Sequence, residues 1–304
     1  MPRRVMSSVQ AAVSQEPAAA AAASELKDQS IGAIISATRN LSAEQVEKIL
    51  EQQRTHGQRF GEAAVSLGFV STDDVLFALA QQFHYPYAPV DQDRVNPELV
   101  TLTKPFSAQA EAFRATRSQL MMRFYDEQKQ HQQALAVVSP ESGDGKSFFC
   151  ANLAVTLAQL GGRTLLIDAD MRKPRQHELF NLENREGLSG VLSGRTMGQV
   201  IQQIANVPSL FVLPVGITPP NPLELVERPS FGLLVRELLS KFDHVIVDTP
   251  AARYGADCAV VAARCGAALV IARKDESRIA ALHDLVATFD QSPAKLLGVI
   301  MNEY

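Results

Sequence analysis

Cysteine is scarce in this chain of 304 residues: three occur, Cys150, Cys258 and Cys265, each set among apolar neighbours. That number and placement exclude a disulfide framework or a zinc cage and read as reduced core residues. No apolar run approaches the ~20 residues that a bilayer span needs, so no inserted helix is expected. A formal net charge of −4 lacks the basic footprint of a nucleic-acid binder, and no nucleic acid is expected as a partner. Met1-Pro2-Arg3-Arg4 is followed only by the short, weakly apolar Ala18–Ala23 tract, too little for a signal-peptide core. Residues 1–25 read as a disordered, Ala-rich tail, with a short marginal helix as the other reading. What the chain does have is hydrophobic content of 46 %, enough to build one α/β domain with a sizeable core and a smaller unit beside it. These features together predict a soluble, cytoplasmic protein.

Residues 26–95 form the smaller unit, and an internal repeat exposes it. Ser30-Ile31-Gly32-Ala33-Ile34-Ile35, followed by Leu41-Ser42-Ala43-Glu44-Gln45-Val46, is echoed by Arg59-Phe60-Gly61-Glu62-Ala63-Ala64 and Val70-Ser71-Thr72-Asp73-Asp74-Val75 at an offset of 29 residues. Each copy reads as a short helix, a turn, an N-cap serine (Ser42 or Ser71) and a second amphipathic helix. The unit resembles the MshEN-type N-terminal domain of type II secretion and type IV pilus ATPases, whose paired R-L-G-x-x-L motifs bind cyclic di-GMP. Arg59 can grip a phosphate or stack on guanine, but Ser30 stands at the equivalent position of the first copy and can do neither. Weak or absent cyclic di-GMP binding is therefore expected, with docking of a partner as the main role. A linker from Asp91 to Lys104 leads into residues 96–304.

In that larger part, Ser139-Pro140-Glu141-Ser142-Gly143-Asp144-Gly145-Lys146-Ser147 lies between an apolar run, Ala134 to Val138, and a helix-patterned run from Phe148 to Leu160. Glycines 143 and 145 let backbone N–H groups face phosphate oxygens, Lys146 can reach the outer phosphates, and the Ser147 hydroxyl can ligate magnesium. The first glycine of the G-x-x-x-x-G-K-[ST] pattern is replaced by Pro140. Two apolar strands ending in carboxylates strengthen the reading: Thr164 to Ile167 closes in Asp168-Ala169-Asp170-Met171-Arg172-Lys173-Pro174, and His244 to Val247 closes in Asp248-Thr249-Pro250. At the carboxyl ends of parallel strands, Asp168, Asp170 and Asp248 converge near the loop and can hold magnesium and its waters. Periodicity predicts strands at 134–139, 163–168, 209–214, 243–248, 266–272 and 296–301, and helices at 146–160, 230–241, 256–263 and 277–291. The alternation predicts an α/β fold, a parallel sheet with helices on both faces. Lys173 to Gly194 reads as a long irregular span, a mobile rim over the site.

The loop of S-x-x-x-G-x-G-K-S form, the D-x-D-x-R-K-P segment and the D-T-P strand end together resemble the bacterial tyrosine kinases, a branch of the deviant-Walker P-loop ATPases that includes the MinD and ParA proteins. Glu111-Ala112-Phe113-Arg114-Ala115-Thr116-Arg117 is similar to the E-x-x-R-x-x-R helix through which these kinases assemble into rings. Pro219-Pro220-Asn221-Pro222-Leu223-Glu224-Leu225 is similar to their P-P-N-P-x-E-L segment, and Gly187-Leu188-Ser189-Gly190-Val191-Leu192 to their G-L-S-x-x-L segment. The resemblance spans roughly residues 104–304 and is nearest to the stand-alone, EpsG-type kinases of exopolysaccharide chain-length control.

It implies a P-loop NTPase fold that uses ATP and Mg2+. Ser142, Gly143, Asp144, Gly145, Lys146, Ser147 and Phe148 would hold the nucleotide. Ser147 would ligate the metal, with Asp170 or Asp248 in its shell, and Asp168 would orient or deprotonate the acceptor tyrosine. Arg172 would contact phosphate or a neighbouring subunit. Asn302 would read adenine, a turn role being its other reading. Glu111, Arg114 and Arg117, at three-residue steps on one helical face, are expected to pair with another subunit rather than with one another. The implied partners are further copies of the chain and a membrane-embedded polysaccharide chain-length determinant (a co-polymerase), which would hold the protein at the inner membrane. Tyr304 is a candidate phosphoacceptor of short reach, since a chain extends only ~3.5 Å per residue; Tyr85, Tyr87, Tyr125 and Tyr254 stay open as acceptors or core residues. The alternative is a MinD/ParA-like assembly switch without tyrosine transfer. Those proteins carry a lysine early in the loop, where this chain has Pro140 and Glu141, which favours the kinase.

Overall fold

Alternating burial along the central strands sorts their side chains between two apolar layers. In β1 (Ala134–Val138), Ala134, Ala136 and Val138 join one core cluster while Leu135 and Val137 join the other. The same period-two division holds for β2 (Thr164–Asp168), β5 (His244–Asp248) and β6 (Gly266–Arg273). Strands buried on both faces are what a parallel sheet covered by helices requires. The structure, a computed structural model, describes residues 30–82, 95–125, 133–195 and 198–303. The expected tail, most of the first half of the linker, Tyr85, Tyr87 and Tyr304 lie outside the described residues.

The sheet has seven strands in the order β3-β4-β2-β5-β1-β6-β7, with β3 at Gln202–Ile204, β4 at Val207–Leu213 and β7 at Lys295–Asn302. All neighbours are parallel except β3, which runs antiparallel to β4 at the edge. Six helices precede β1 in the described residues: α1 Ile31–Arg39, α2 Ala43–His56, α3 Phe60–Ser66, α4 Thr72–Gln82, the short α5 Val100–Thr103 and α6 Ala108–Arg123. Then come α7 Lys146–Ala158, α8 Gln176–Leu179, α9 Leu188–Ser193, α10 Pro222–Glu227, α11 Pro229–Leu239, α12 Asp257–Cys265 and α13 Ile279–Asp290. Helices α6 and α7 supply one apolar layer; α11, α12 and α13 supply the other.

The six expected strands and four expected helices are present, with ends shifted by up to two residues. The span 173–194 departs from expectation, because it holds α8 and α9 instead of being wholly irregular. These helices are of four and six residues, too short to leave a periodic signature. The edge strand β3, of three residues, escaped for the same reason.

The repeat is visible in the helix starts: α1 and α3 begin at residues 31 and 60, α2 and α4 at 43 and 72. Ser42 caps α2 reciprocally: the Gln45 N–H donates to Ser42 Oγ (3.2 Å) and the Ser42 N–H donates to Gln45 Oε1 (2.9 Å). Ser71 does the same with Asp74, at 3.2 and 2.8 Å. Each cap is worth ~1 kcal/mol. Ile34, Ile35, Ile49, Ala63, Ala64, Val70 and Ala78 form a cluster of their own. Gly61 is demanded by this packing, since a Cβ there would lie 2.7 Å from Val75 Cγ1.

Candidate nucleotide and phosphoryl-transfer site

The loop leaving β1 needs left-handed backbone at two places, Gly143 (φ 96°) and Gly145 (φ 95°). No positive φ is required at residue 140, so proline, whose ring fixes φ near −65°, replaces the usual first glycine without strain. Gly145 is constrained twice, because an added Cβ would stand 2.1 Å from Asn302 Nδ2. That amide donates to the Asp144 carbonyl at 2.9 Å, tying the end of β7 to the loop. The buried Asp144 carboxylate accepts the Glu141 N–H (2.8 Å) and the Ser277 hydroxyl (2.9 Å). Lys146 opens α7, and its buried ammonium donates to Ser139 Oγ at 2.9 Å.

Parallel register places the three expected carboxylates together. Asp168 pairs directly with Asp248 across β2 and β5, and Asp248 stands beside Val137 of β1. Asp168 is wholly buried; it accepts N–H groups from Asp170 (3.1 Å), Arg175 (3.0 Å) and Gln176 (3.0 Å). Asp170 Oδ1 accepts the N–H groups of Arg172 (3.1 Å) and Lys173 (2.9 Å). Burial first, then the facing Asp248 charge, pushes the Asp168 carboxyl well above the usual carboxylate range. Burial likewise raises Asp248 and Asp170. A raised carboxyl suits proton acceptance from a hydroxyl better than an ordinary one.

The residues fit magnesium on one specific observation. Asp248 Oδ1 and Gln176 Oε1 are buried acceptors with no hydrogen-bond donor, while Asp248 Oδ2 accepts from Gln176 Nε2 at 2.8 Å and the Ser147 side chain lies beside the Asp248 carboxylate. Oxygen acceptors without donors are what a hard cation and its waters satisfy. Among the described residues no three His, Cys, Asp or Glu side chains form a full metal cage, in keeping with a metal shared between substrate, water and few protein oxygens. Beside the loop, Phe113, Phe148, Phe149, Ile300 and Met301 line a cavity of about 380 Å³, with Gln109, Thr116, Asn302 and Glu303 as its polar lining, the mostly apolar wall with a few polar groups that suits a purine.

One expectation is corrected and one residue gains an intrachain partner. Arg172 is committed to its own chain: its guanidinium grips both oxygens of the buried Asp257, at 3.0 to 3.2 Å. Within the chain it acts as a brace between the Asp170 turn and α12. Glu111 and Arg114 pair with each other at 2.6 Å, since three residues bring side chains onto adjacent positions of one helix. Arg114 also donates to the Pro105 carbonyl (2.6 Å), and Arg117 donates to the Thr156 carbonyl of α7 (2.9 Å). Sequence reasoning missed Gln176, Asp257 and Ser277, whose side chains meet partners 29 or more residues away along the chain and which carry no local motif. The three cysteines are free and buried, as expected.

The profile of CbiA, the CobQ/CobB/MinD/ParA nucleotide binding domain, matches residues 135–304. CapB of Staphylococcus aureus, described as a putative tyrosine-protein kinase, is 34 % identical over 200 residues, covering 66 % of this chain and 86 % of CapB. The tyrosine-protein kinase YwqD of Bacillus subtilis is 36 % identical over 212 residues, covering 69 % and 87 %. This chain belongs to the bacterial tyrosine-protein kinases. Among solved structures, the kinase domain of the Escherichia coli tyrosine kinase ETK superposes with a TM-score of 0.62 at 31 % identity, over 67 % of this chain and 79 % of that one. The tyrosine-kinase family thus stands on sequence and fold together.

Proposed function

We propose that this protein is an ATP-dependent tyrosine autokinase of the stand-alone, EpsG type, serving exopolysaccharide synthesis or export beside a membrane-embedded chain-length determinant. The gathering of Lys146, Ser147, Asp168, Asp170 and Asp248 at the carboxyl ends of three adjacent strands, β2, β5 and β1, carries this reading. Residues 142–148 hold the nucleotide phosphates, with Lys146 balancing charge on the outer ones, and Phe148 and Asn302 border the base. Ser147 and Asp248, assisted by Asp170, would hold Mg2+, which would supply charge neutralisation at the phosphates. Asp168 receives or directs the proton of the tyrosine hydroxyl. Arg172 acts through Asp257 and the Asp170 turn as a positioning residue. Glu141, ion-paired with Arg253 at 2.9 Å, stands in the stretch where an assembly switch would carry its lysine. Residues 26–95 form a docking module of MshEN type with at most weak affinity for cyclic di-GMP through Arg59, and the chain works peripherally at the inner membrane as a homo-oligomer.

The test is phosphotyrosine formation by the purified chain with Mg·ATP, beside Lys146→Met, which keeps side-chain length and removes the charge. The variant should lose nucleotide affinity and about 10²-fold or more in transfer rate. Equal nucleotide binding and transfer in the two proteins would overturn the assignment.

A further inference from the structure

Two of the tyrosines lie within the described residues, in opposite settings. Tyr125 packs against Phe124 and His244, each at 4.6 Å between ring centroids, and its hydroxyl has no hydrogen-bond partner. Burial pushes its phenol far up, so it neither ionises nor reaches a nucleotide. Tyr254 ends a single 3-10 turn, Ala252–Tyr254, that is bonded to the phosphate loop itself. The Ala252 N–H donates to the Ser139 carbonyl (2.9 Å) and the Arg253 N–H to the Pro140 carbonyl (3.1 Å), while the Arg253 side chain pairs with Glu141. The ring therefore stays on the lip of the loop. Its hydroxyl faces the loop residue Ser142. The Lys173 ammonium stands 5.7 Å from the ring centroid and the Arg253 guanidinium 5.8 Å. The Ser142 side chain first, then Lys173, draws the phenol below its ordinary range, which makes the oxygen a readier nucleophile.

We propose that Tyr254 is an internal phosphate acceptor of this chain, modified by the ATP held in its own loop. This rests on the kinase reading above and adds the site of modification. In the transfer the phenol oxygen forms a bond to the γ-phosphorus as the bond from that phosphorus to the β–γ bridging oxygen breaks. ADP leaves with the electron pair, and the phenol proton passes to water at the exposed lip. Lys173 stabilises the phenolate and then, with Arg253, faces the new phosphate.

The experiment incubates the full chain with Mg·ATP, digests it with trypsin and reads the peptide bearing Tyr254 by mass spectrometry. Phosphate on Tyr254 is expected, lost in Lys146→Met and in Tyr254→Phe. It should form about tenfold more slowly in Lys173→Met, where the nearest cation is withdrawn from the phenol. Labelling of Tyr254 at a rate independent of protein concentration is the expected order. A rate rising with concentration would overturn the own-loop assignment. An unmodified Tyr254 peptide alongside phosphate on other tyrosines would overturn the proposal and leave the kinase standing. No phosphotyrosine anywhere on a chain that binds ATP would overturn both.

Discussion

Arg172 shows what a single side chain contributes when its charge is spent inside the fold. Asp257 is almost wholly buried (3 % exposed), while Arg172 keeps about a third of its surface (32 %). Removing the guanidinium strands a buried carboxylate, and loss of one partner from a fully buried pair costs about 3–5 kcal/mol. Partial exposure lowers the expected cost of Arg172→Ala to about 2–3 kcal/mol. A urea midpoint moved by less than the scatter between repeats would show the brace to be idle. Arg172→Ala together with Asp257→Asn should recover part of the loss, because no buried charge is left unpaired.

Elements, in turn, are held by residues at their ends, and β5 carries a different task at each. Its carboxyl end delivers Asp248 to the site; its first residue, His244, is buried beneath the Tyr125 ring and has Nδ1 without a partner. Burial, opposed by the neighbouring Asp243 charge, holds this imidazole below its ordinary value. The unfolded chain therefore binds the proton more tightly than the folded one. Stability from neutral His244 is fully present above about pH 6.5 and is lost as pH falls through the folded value. Unfolding midpoints measured between pH 7.5 and 5 should fall with acidity, and less steeply in His244→Gln. Equal slopes in the two proteins would remove His244 from the acid response. Helix α8 is also made at its end, since Asp168 accepts the N–H groups of Arg175 and Gln176 where it begins. The carboxylate proposed for proton transfer thereby fixes the rim over its own site.

Across the whole molecule, one face of the sheet joins the candidate nucleotide site to α6, the helix proposed for assembly. Helix α6 walls the cavity proposed for the base with Ala108, Ala112, Phe113 and Thr116 and is fastened to α7 through Arg117. Glu111 is the outward member of its ion pair, 68 % exposed against 18 % for Arg114. Glu111→Lys reverses the exposed charge while leaving Arg114 bonded to Pro105 and Arg117 to Thr156. The particle mass measured by light scattering should fall toward that of one chain. An unchanged distribution of masses would take this face out of any interface between copies.

Along the chain, the P-loop, the two carboxylate-ended strands, the six long strands and the 29-residue repeat were all legible, because each is a local pattern of apolar period, glycine and cap. Lys146 with residues 142–145, and Asp168 with Asp248, are found where strand ends must put them. Long-range partners were beyond such reading. Asp257 under Arg172, Gln176 beside Asp248, Ser277 on Asp144 and Asn302 over Gly145 meet only when the sheet order β2-β5-β1-β6-β7 brings distant segments side by side. The pairing of Glu111 with Arg114 was within reach of helical spacing, yet spacing alone leaves open whether a charge turns to its neighbour or outward. Sequence by itself determined which residues could hold a phosphate and a metal, since that follows from side-chain chemistry and strand polarity. Tertiary structure decided which charges remain free to do so, because pairing and burial depend on what the fold packs against them.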